Sequence, residues 1–225
     1  MALNKKDAEL LEEACALSVQ INTNLPDKIE AVALSNISKL PFKALSLRET
    51  LIHRIADLSD AAISLYKSSK IVPAIIMIRS VFETSAVLFW LFKKLKHVSE
   101  TSDLDDINDF LNKHLFGGRD ENAPVESYNI LTAIDHTDKE FENYRIAYDD
   151  LSEFAHPNWS GLIGAYSDAY KNKYVLNLGK VEGRVPSIFS LPLLVSSLKL
   201  ATYYYDEMEQ HFINFNELCD KKQRK

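Results

Sequence analysis

Apolar residues recur at three- and four-residue steps through most of the chain, which is the spacing of helices that bury one face. The first such run covers residues 7–20 and predicts an amphipathic helix. The next follows Ser46, and Glu49 stands three residues after that serine, as in a capping box. We therefore predict that the second helix begins at Ser46. Between the two, the turn signal at Pro26 and the run at residues 29–37 predict a further short helix.

Residues 72–97 are apolar almost all round a helix, a pattern that is typical of the central helix of a bundle. The run is long enough to cross a bilayer, but Arg79, Glu83 and three small hydroxyl residues interrupt it. Charged side chains are costly in lipid, so we expect a buried helix of a bundle in water and no membrane partner.

The second half of the chain predicts three more helices and one hairpin. Acidic residues start a shorter helix that ends at Gly117–Gly118, and a longer helix runs from Asp138 to about His156. Alternating apolar residues with flanking glycines predict a small β-hairpin near residues 173–185. Helical spacing then returns at residues 187–219.

The composition is that of one ordered globular domain. The chain has 225 residues, of which 46% are hydrophobic and 26% are charged. Together with the helical spacing, this predicts an all-α helical bundle that forms a single domain over residues 1–225. The net charge of −6 disfavours loose binding to a phosphate backbone, although a basic run occupies residues 221–225.

Sequence signals of a bound metal or cofactor are absent. Cys15 and Cys219 stand near opposite ends without Cys or His neighbours at zinc-site spacing, so neither a zinc site nor a disulfide framework is expected. The loop at residues 117–119 lacks the Lys-Ser/Thr of a phosphate-binding loop. The N-terminus is charged from Lys5 and has no uninterrupted apolar core, so we expect a cytoplasmic protein without a cofactor.

The clearest candidate chemistry lies on the helix that ends near His156. At about 100 degrees per residue, Arg145, Ser152 and His156 fall within about 60 degrees of one another, beside the buried face. On the central helix, Arg79 and Glu83 are four residues apart, and each charge inside a bundle needs a partner or water. We therefore expect Arg79 and Glu83 to meet the face of Ser152 and His156 across the bundle.

This polar group has four interpretations, of which the first is a structural network that fixes helix register. As a functional site, His156 can transfer protons and Arg79 or Arg145 can hold a phosphate, which is the equipment of metal-independent RNA cleavage. Ser152 as an acyl-transfer nucleophile lacks the glycines of a nucleophile elbow. A metal site is the fourth, although the paired Glu-x-x-His motifs of di-iron bundles are missing. Its ligands would be Glu83, Glu153 and His156.

Two segments resemble the HEPN-like helical proteins. The central helix reads AIIMIRSVFETSAVLFWL, and the later helix ends LSEFAHPN. Within that superfamily, the chain looks most like a bacterial branch of unknown function with an Arg-Ser-x-x-Glu helix and a later Ser-Glu-x-x-His-Pro. The resemblance covers about residues 45–160 and implies a HEPN-like core, followed by the helix at residues 187–219.

HEPN ribonucleases carry an arginine, a polar residue and a histidine at a helix end. By resemblance, His156 matches the histidine and Ser152 the polar residue, but Leu151 stands where the arginine should be. Arg145 or Arg79 would have to replace that arginine in space. The resemblance also implies a homodimer and a role in toxin–antitoxin or antiviral defence. We therefore expect a binding or regulatory module with an RNA or protein partner. The alternatives are a metal-independent ribonuclease and a purely structural or interaction protein.

Overall fold

Amphipathic helices make up most of the chain, so the predicted all-α bundle with a small hairpin is confirmed. The computed structural model describes residues 5–31, 35, 37–170, 174–179 and 187–223. Those residues form eight helices and two two-stranded sheets. The helices are α1 (Lys5–Thr23), α2 (Leu40–Lys67), α3 (Ile71–Thr101), α4 (Ile107–Leu115), α5 (Ile130–Asp138), α6 (Tyr144–Ala155), α7 (Ile163–Tyr166) and α8 (Ser187–Gln223). The strands are β1 (Gly117–Gly118), β2 (Val125–Glu126), β3 (Ser167–Tyr170) and β4 (Val175–Leu178).

The centre of the bundle is α3, the helix that is apolar almost all round. It packs against α2, α5, α6 and α8, and Ile75, Ile78 and Leu88 are completely buried. By length and composition α3 could also cross a membrane, but 61% of its most apolar window is buried inside the bundle, as in the core helix of a globular protein. Residues on α3 can therefore contact side chains from four other helices.

The start of α2 differs from the prediction. The helix begins at Leu40, and Pro41 lies in its first turn, where a missing N–H costs no helical hydrogen bond. Ser46 lies inside the helix, so the predicted capping box with Glu49 is wrong. The apolar face of α2 continues towards the N-terminus through the buried Ala44, and Glu49 is itself buried.

The helix predicted from Asp138 to His156 begins only at Tyr144, and α5, which precedes it, was not predicted. Helix α5 ends at Asp138, and α6 begins at Tyr144 after Asn143, whose φ of 70° turns the chain sharply. Asparagine tolerates this left-handed conformation better than most residues. At its other end α6 stops at Ala155, one residue before the predicted limit.

The predicted hairpin is formed by β3 and β4. These strands pair antiparallel, with Ser167 opposite Leu178 and Tyr170 opposite Val175. Strand β4 lies within the predicted range of 173–185, whereas β3 precedes it. All four residues of β4 are exposed, so the hairpin lies on the outside of the bundle rather than in its core.

Parts of three predictions fall outside the described residues. The short helix predicted at residues 29–37 includes 32–34 and 36. The hairpin range extends into residues 180–186, and the basic run at the C-terminus ends with residues 224–225.

Both cysteines are free thiols. Cys15 is half-buried on α1, whereas Cys219 on α8 is buried. Burial raises the pKa of the Cys219 thiol to about 11. Because the thiolate is the reactive form, Cys219 is protected from reaction as long as α8 stays packed.

Candidate functional site

The guanidinium of Arg79 on α3 contacts two side chains on α6. Its Nε donates a hydrogen bond to Ser152 Oγ at 2.9 Å, and its Nη2 donates to the Tyr148 hydroxyl at 2.6 Å. The guanidinium carbon also lies 5.0 Å from the centre of the Tyr148 ring. The expected contact between Arg79 and the face of α6 that carries Ser152 is therefore confirmed.

Glu83 completes this group. Its Oε1 lies 3.0 Å from Arg79 Nη2 and accepts a hydrogen bond from the Tyr148 hydroxyl at 3.1 Å. The side chains of Arg79 and Glu83 are 25% and 21% exposed, so the pair lies at the rim of the core and solvent reaches it. We call Arg79, Glu83, Tyr148 and Ser152 the Arg79 cluster.

Helical spacing explains why these four side chains meet. Arg79 and Glu83 lie four residues apart on α3, and Tyr148 and Ser152 lie four residues apart on α6, so each pair shares one face. Ser152 Oγ also donates to the Tyr148 carbonyl at 2.8 Å, which leaves its lone pairs directed to Arg79. Tyr148 also lies on the buried face of α6, and its position one turn before Ser152 is the sequence signal for its polar role.

His156 lies outside the Arg79 cluster. It follows the last residue of α6 with an extended backbone (φ −88°, ψ 147°), and its side chain is exposed. Proline disfavours the helical region for the residue before it. Pro157 therefore directs His156 away from the helical face that it would otherwise share with Ser152. Among the described residues, the imidazole has no hydrogen-bond or ion-pair partner.

Arg145 belongs to a separate group of acidic side chains. Its Nε lies 3.1 Å from both carboxylate oxygens of Asp149, and its Nη1 donates to Asp135 at 2.7 Å. Its backbone N–H donates to the carboxylate of Asp138. Arg145 therefore ties α6 to α5 on an exposed surface and does not join Arg79. The helical geometry predicted its direction but not these partners.

The three residues considered as metal ligands are not brought together. Glu83 is engaged by Arg79, and the Glu153 carboxylate accepts a hydrogen bond from the Asn158 amide at 2.7 Å. Within the described part of the chain, no group of three or more His, Cys, Asp or Glu side chains is arranged to hold a metal ion.

A second polar cluster joins α2 to α8 and was not expected from the sequence. Arg48 and Glu49 are each 6% exposed. Arg48 donates to the Glu209 carboxylate at 2.9 Å and to the Tyr205 carbonyl at 3.1 Å, and the Tyr205 hydroxyl donates to Glu49 at 2.6 Å. We call these four residues the Arg48 cluster.

The geometry of the Arg48 cluster favours a structural role. The guanidinium stacks on the Tyr205 ring at 3.9 Å, and burial raises the pKa of the Tyr205 hydroxyl. Arg48 Nε is buried without a hydrogen-bond partner among the described residues. The signal was the Arg48–Glu49 dipeptide inside an apolar run, which the capping interpretation of Glu49 obscured.

The turn after His156 leads into an exposed apolar surface. Trp159 is 71% exposed and Leu178 is 81% exposed. A Cβ at Gly164 would lie about 3.0 Å from the Trp159 ring, which is a tight contact, so this glycine leaves room for the ring beside α7. We define the apolar surface by exposed residues of this turn, of α7 and of one face of β4, which are Trp159, Leu162, Ile163, Tyr166, Leu176 and Leu178.

Backbone pairing leaves one edge of this surface open. The Gly179 N–H donates to the Tyr166 carbonyl at 2.9 Å, which fixes the alternation of hydrogen bonds between β3 and β4. By that alternation, Leu176 and Leu178 direct their N–H and C=O groups away from β3. Within the described residues, no backbone group pairs with this outer edge of β4.

Three features could take part in function: the oriented guanidinium of Arg79, the exposed imidazole of His156 and the open outer edge of β4. Arg79 Nη1 has no hydrogen-bond partner among the described residues, so this atom is available to an anionic group. No described side chain that could act as a general base contacts the Arg79 guanidinium besides Glu83, which is paired with it. Comparison with known proteins identifies no relative of this chain, because no protein family, no curated sequence and no solved structure matches it.

Proposed function

We propose that the chain is a protein-binding module whose contact surface is the apolar surface defined above. The observation that carries this proposal is the exposure of the six large apolar side chains that define this surface. Soluble proteins rarely expose such clusters unless a partner covers them. The Arg79 cluster supports the proposal because it fixes α6, the helix from which this surface continues.

The open edge of β4 specifies the kind of partner. An extended peptide can add to such an edge by pairing with the outward N–H and C=O groups of Leu176 and Leu178. The strand has no charge of its own, and Lys173 and Lys180 flank it in the sequence. The partner segment is therefore extended, apolar at its centre and acidic at its ends.

We also propose that the chain has a HEPN-like core and a role in regulation or defence. They rest on the resemblance of the α3 and α6 sequences to that superfamily. The separation of His156 from Arg79 supports a binding role over a catalytic one, since proton transfer and charge stabilisation must act on the same reacting group.

The binding role is tested with two labelled synthetic peptides. Both have an alternating Val/Leu centre, and one has Asp/Glu flanks whereas the other has Lys flanks. We expect fluorescence anisotropy to give about tenfold tighter binding of the acidic peptide, and this preference to weaken with added salt. Leu178→Pro removes an outward N–H, and Trp159→Ser removes an apolar contact, so both variants should bind the acidic peptide more weakly.

Ile146→Ser is the matched control, because Ile146 is 59% exposed on α6 but lies outside the apolar surface. It should leave peptide binding unchanged. Equal binding of the two peptides, or indifference of binding to Leu178→Pro and Trp159→Ser, would contradict the proposal. A stable dimer of the unmodified chain that Leu178→Pro dissociates would instead identify a second copy as the occupant of the edge.

A metal-independent ribonuclease is the second candidate. It is favoured by the partly exposed Arg79, whose Nη1 is available, and by the exposed His156 at the end of the helix that carries Ser152. We expect purified protein to leave mixed RNA intact. Cleavage that is lost in His156→Ala and Arg79→Ala but retained in Arg145→Ala would replace the binding module with this activity.

A further inference from the structure

A groove of about 680 Å³ lies between the start of α6 and the first half of α8, and it shares no lining residue with the apolar surface. Phe82 of α3 contributes to its lining, together with Phe141, Tyr144, Leu193, Leu200 and Tyr204. Volumes of about 300–1,000 Å³ with mostly aromatic and aliphatic walls are typical of small-molecule sites. We propose that this groove binds an uncharged aromatic small molecule that carries one hydrogen-bonding substituent.

The walls of the groove are held in place by other contacts. Phe82 and Tyr144 stack with ring centres 3.9 Å apart, and the Tyr144 hydroxyl donates to the Phe82 carbonyl at 2.8 Å. Phe89 lies edge-on to both Phe141 and Tyr204, with ring centres 5.3 Å and 4.7 Å apart. These ring contacts fix the shape of the groove, so a ligand loses less free energy to ordering the site.

The charges around the groove specify an uncharged ligand. Its charged residues are Glu142 and Lys199, and the Lys199 ammonium already lies 2.5 Å from the Glu13 carboxylate. A phosphate or carboxylate placed here would face aromatic walls and a lysine that is already neutralised. The cost of removing such an anion from water would therefore be poorly repaid.

One polar group in the wall lacks a partner. Ser197 lines the groove and is 1% exposed, and its Oγ has no hydrogen-bond partner among the described residues. Buried hydroxyls are normally hydrogen-bonded. Rotation about the Cα–Cβ bond would turn this hydroxyl towards the groove, where a ligand with one donor or acceptor could satisfy it.

The rings around the groove favour an aromatic ligand over an aliphatic one. Tyr203, 59% exposed, and Tyr204 lie beside each other with their rings nearly perpendicular, at 86°. An aromatic ligand can add to such a set by edge-to-face or offset contacts, which stabilise beyond the burial of area alone.

The test uses phenol, toluene and benzoate as probes, with binding followed by NMR shifts of the backbone amides that line the groove. We expect phenol and toluene to bind, phenol about fivefold more tightly because of its hydrogen bond to Ser197. Benzoate should bind at least about tenfold more weakly than phenol because its carboxylate must leave water. Ser197→Ala should remove the advantage of phenol over toluene.

Ser196→Trp places a large ring in the groove from an exposed position, and should abolish binding of both uncharged probes. Ser64→Trp is its control, because Ser64 is also an exposed helical serine but does not line the groove. The proposal is overturned if neither probe shifts the groove amides, or if Ser196→Trp binds them normally. It is equally overturned if the free chain forms a dimer that Ser196→Trp dissociates, because a second copy would then fill the groove.

Discussion

Pro157 has a direct effect on the candidate chemistry. The spacing of Ser152 and His156 places them on one face of an uninterrupted helix, and that face was predicted correctly as far as Ser152. Proline then forces the preceding residue out of the helical region, so His156 leaves the face. The meeting of Arg79 with Ser152 followed from helical spacing, whereas the position of His156 depended on how the chain continues after α6.

Replacing Glu83 by glutamine should lower the melting temperature. Glutamine keeps an acceptor for the Tyr148 hydroxyl but removes the negative charge beside Arg79. Because both side chains are about a quarter or less exposed, we expect a loss of about 1 kcal/mol, or a few degrees in a chain of this size. Calorimetry of the variant measures this change. Glu153→Gln is the control, and equal melting temperatures for both variants and the parent would argue against a stabilising Arg79 cluster.

Between elements, the two polar clusters attach helices that are distant in sequence. The Arg79 cluster joins α3 to α6, and the Arg48 cluster joins α2 to α8. Local periodicity predicted each of these helices, although the limits of α2 and α6 were missed. Which helices become neighbours depends on long-range packing, so the partners of Arg48 and Glu49 could not be read from spacing alone.

Arg48→Met should destabilise the protein strongly, because it leaves the buried Glu49 carboxylate without its cationic neighbour. We expect a loss of about 3 kcal/mol in the free energy of unfolding. The double variant Arg48→Met/Glu49→Leu should recover most of this loss, since no uncompensated charge stays buried and Tyr205 is only partly buried. Urea denaturation of both single variants and the double variant measures the coupling. Strictly additive losses would contradict a coupled pair.

Helix α4 introduces a pH dependence through His114. Burial lowers the pKa of His114 below its ordinary value of 6.5, although a hydrogen bond to the Phe110 carbonyl partly opposes this shift. As the pH falls below 6.5, the unfolded chain takes up a proton that the folded chain does not. Stability should therefore be full above that pH and decrease as the pH falls towards the lowered pKa of the folded state.

Denaturation midpoints between about pH 7.5 and 5 measure this effect, with a maximum slope of about 1.4 kcal/mol per pH unit for one proton. His114→Phe should reduce the slope. Part of it should persist, because burial also lowers the pKa values of His136 and His211. An unchanged slope in His114→Phe would show that His114 does not contribute.

In the whole molecule, α3 is the most deeply packed helix, whereas strand β4 of the hairpin is exposed to solvent. Helix α3 contacts four other helices, whereas β4 is exposed along its full length. The fold class was predictable because hydrophobic periodicity is a property of long segments. The open edge and the groove depend on how distant segments leave space between them, which no local pattern encodes.

Hydrogen exchange should separate these regions. We expect the amides of Leu176 and Leu178 to exchange at nearly the rate of an unstructured peptide, because they point away from β3. Amides in the middle of α3 should exchange only through global unfolding. Mass spectrometry of exchanged peptides measures both rates. Similar protection of the hairpin and α3 in the free chain would mean that the outer edge of β4 is already covered.

The burial of Cys219 makes its labelling by a thiol reagent a measure of how often the end of α8 separates from the bundle. Because Cys219 is 1% exposed and burial raises the pKa of its thiol to about 11, a thiol reagent at neutral pH modifies it when the end of α8 separates from the bundle. The labelling rate at Cys219 then reports how often α8 detaches, whereas the half-buried Cys15 can react while α1 stays packed and serves as the internal reference. Partners or ligands that tighten the packing of α8 should slow labelling of Cys219 relative to Cys15, and so reveal their binding without any engineered probe.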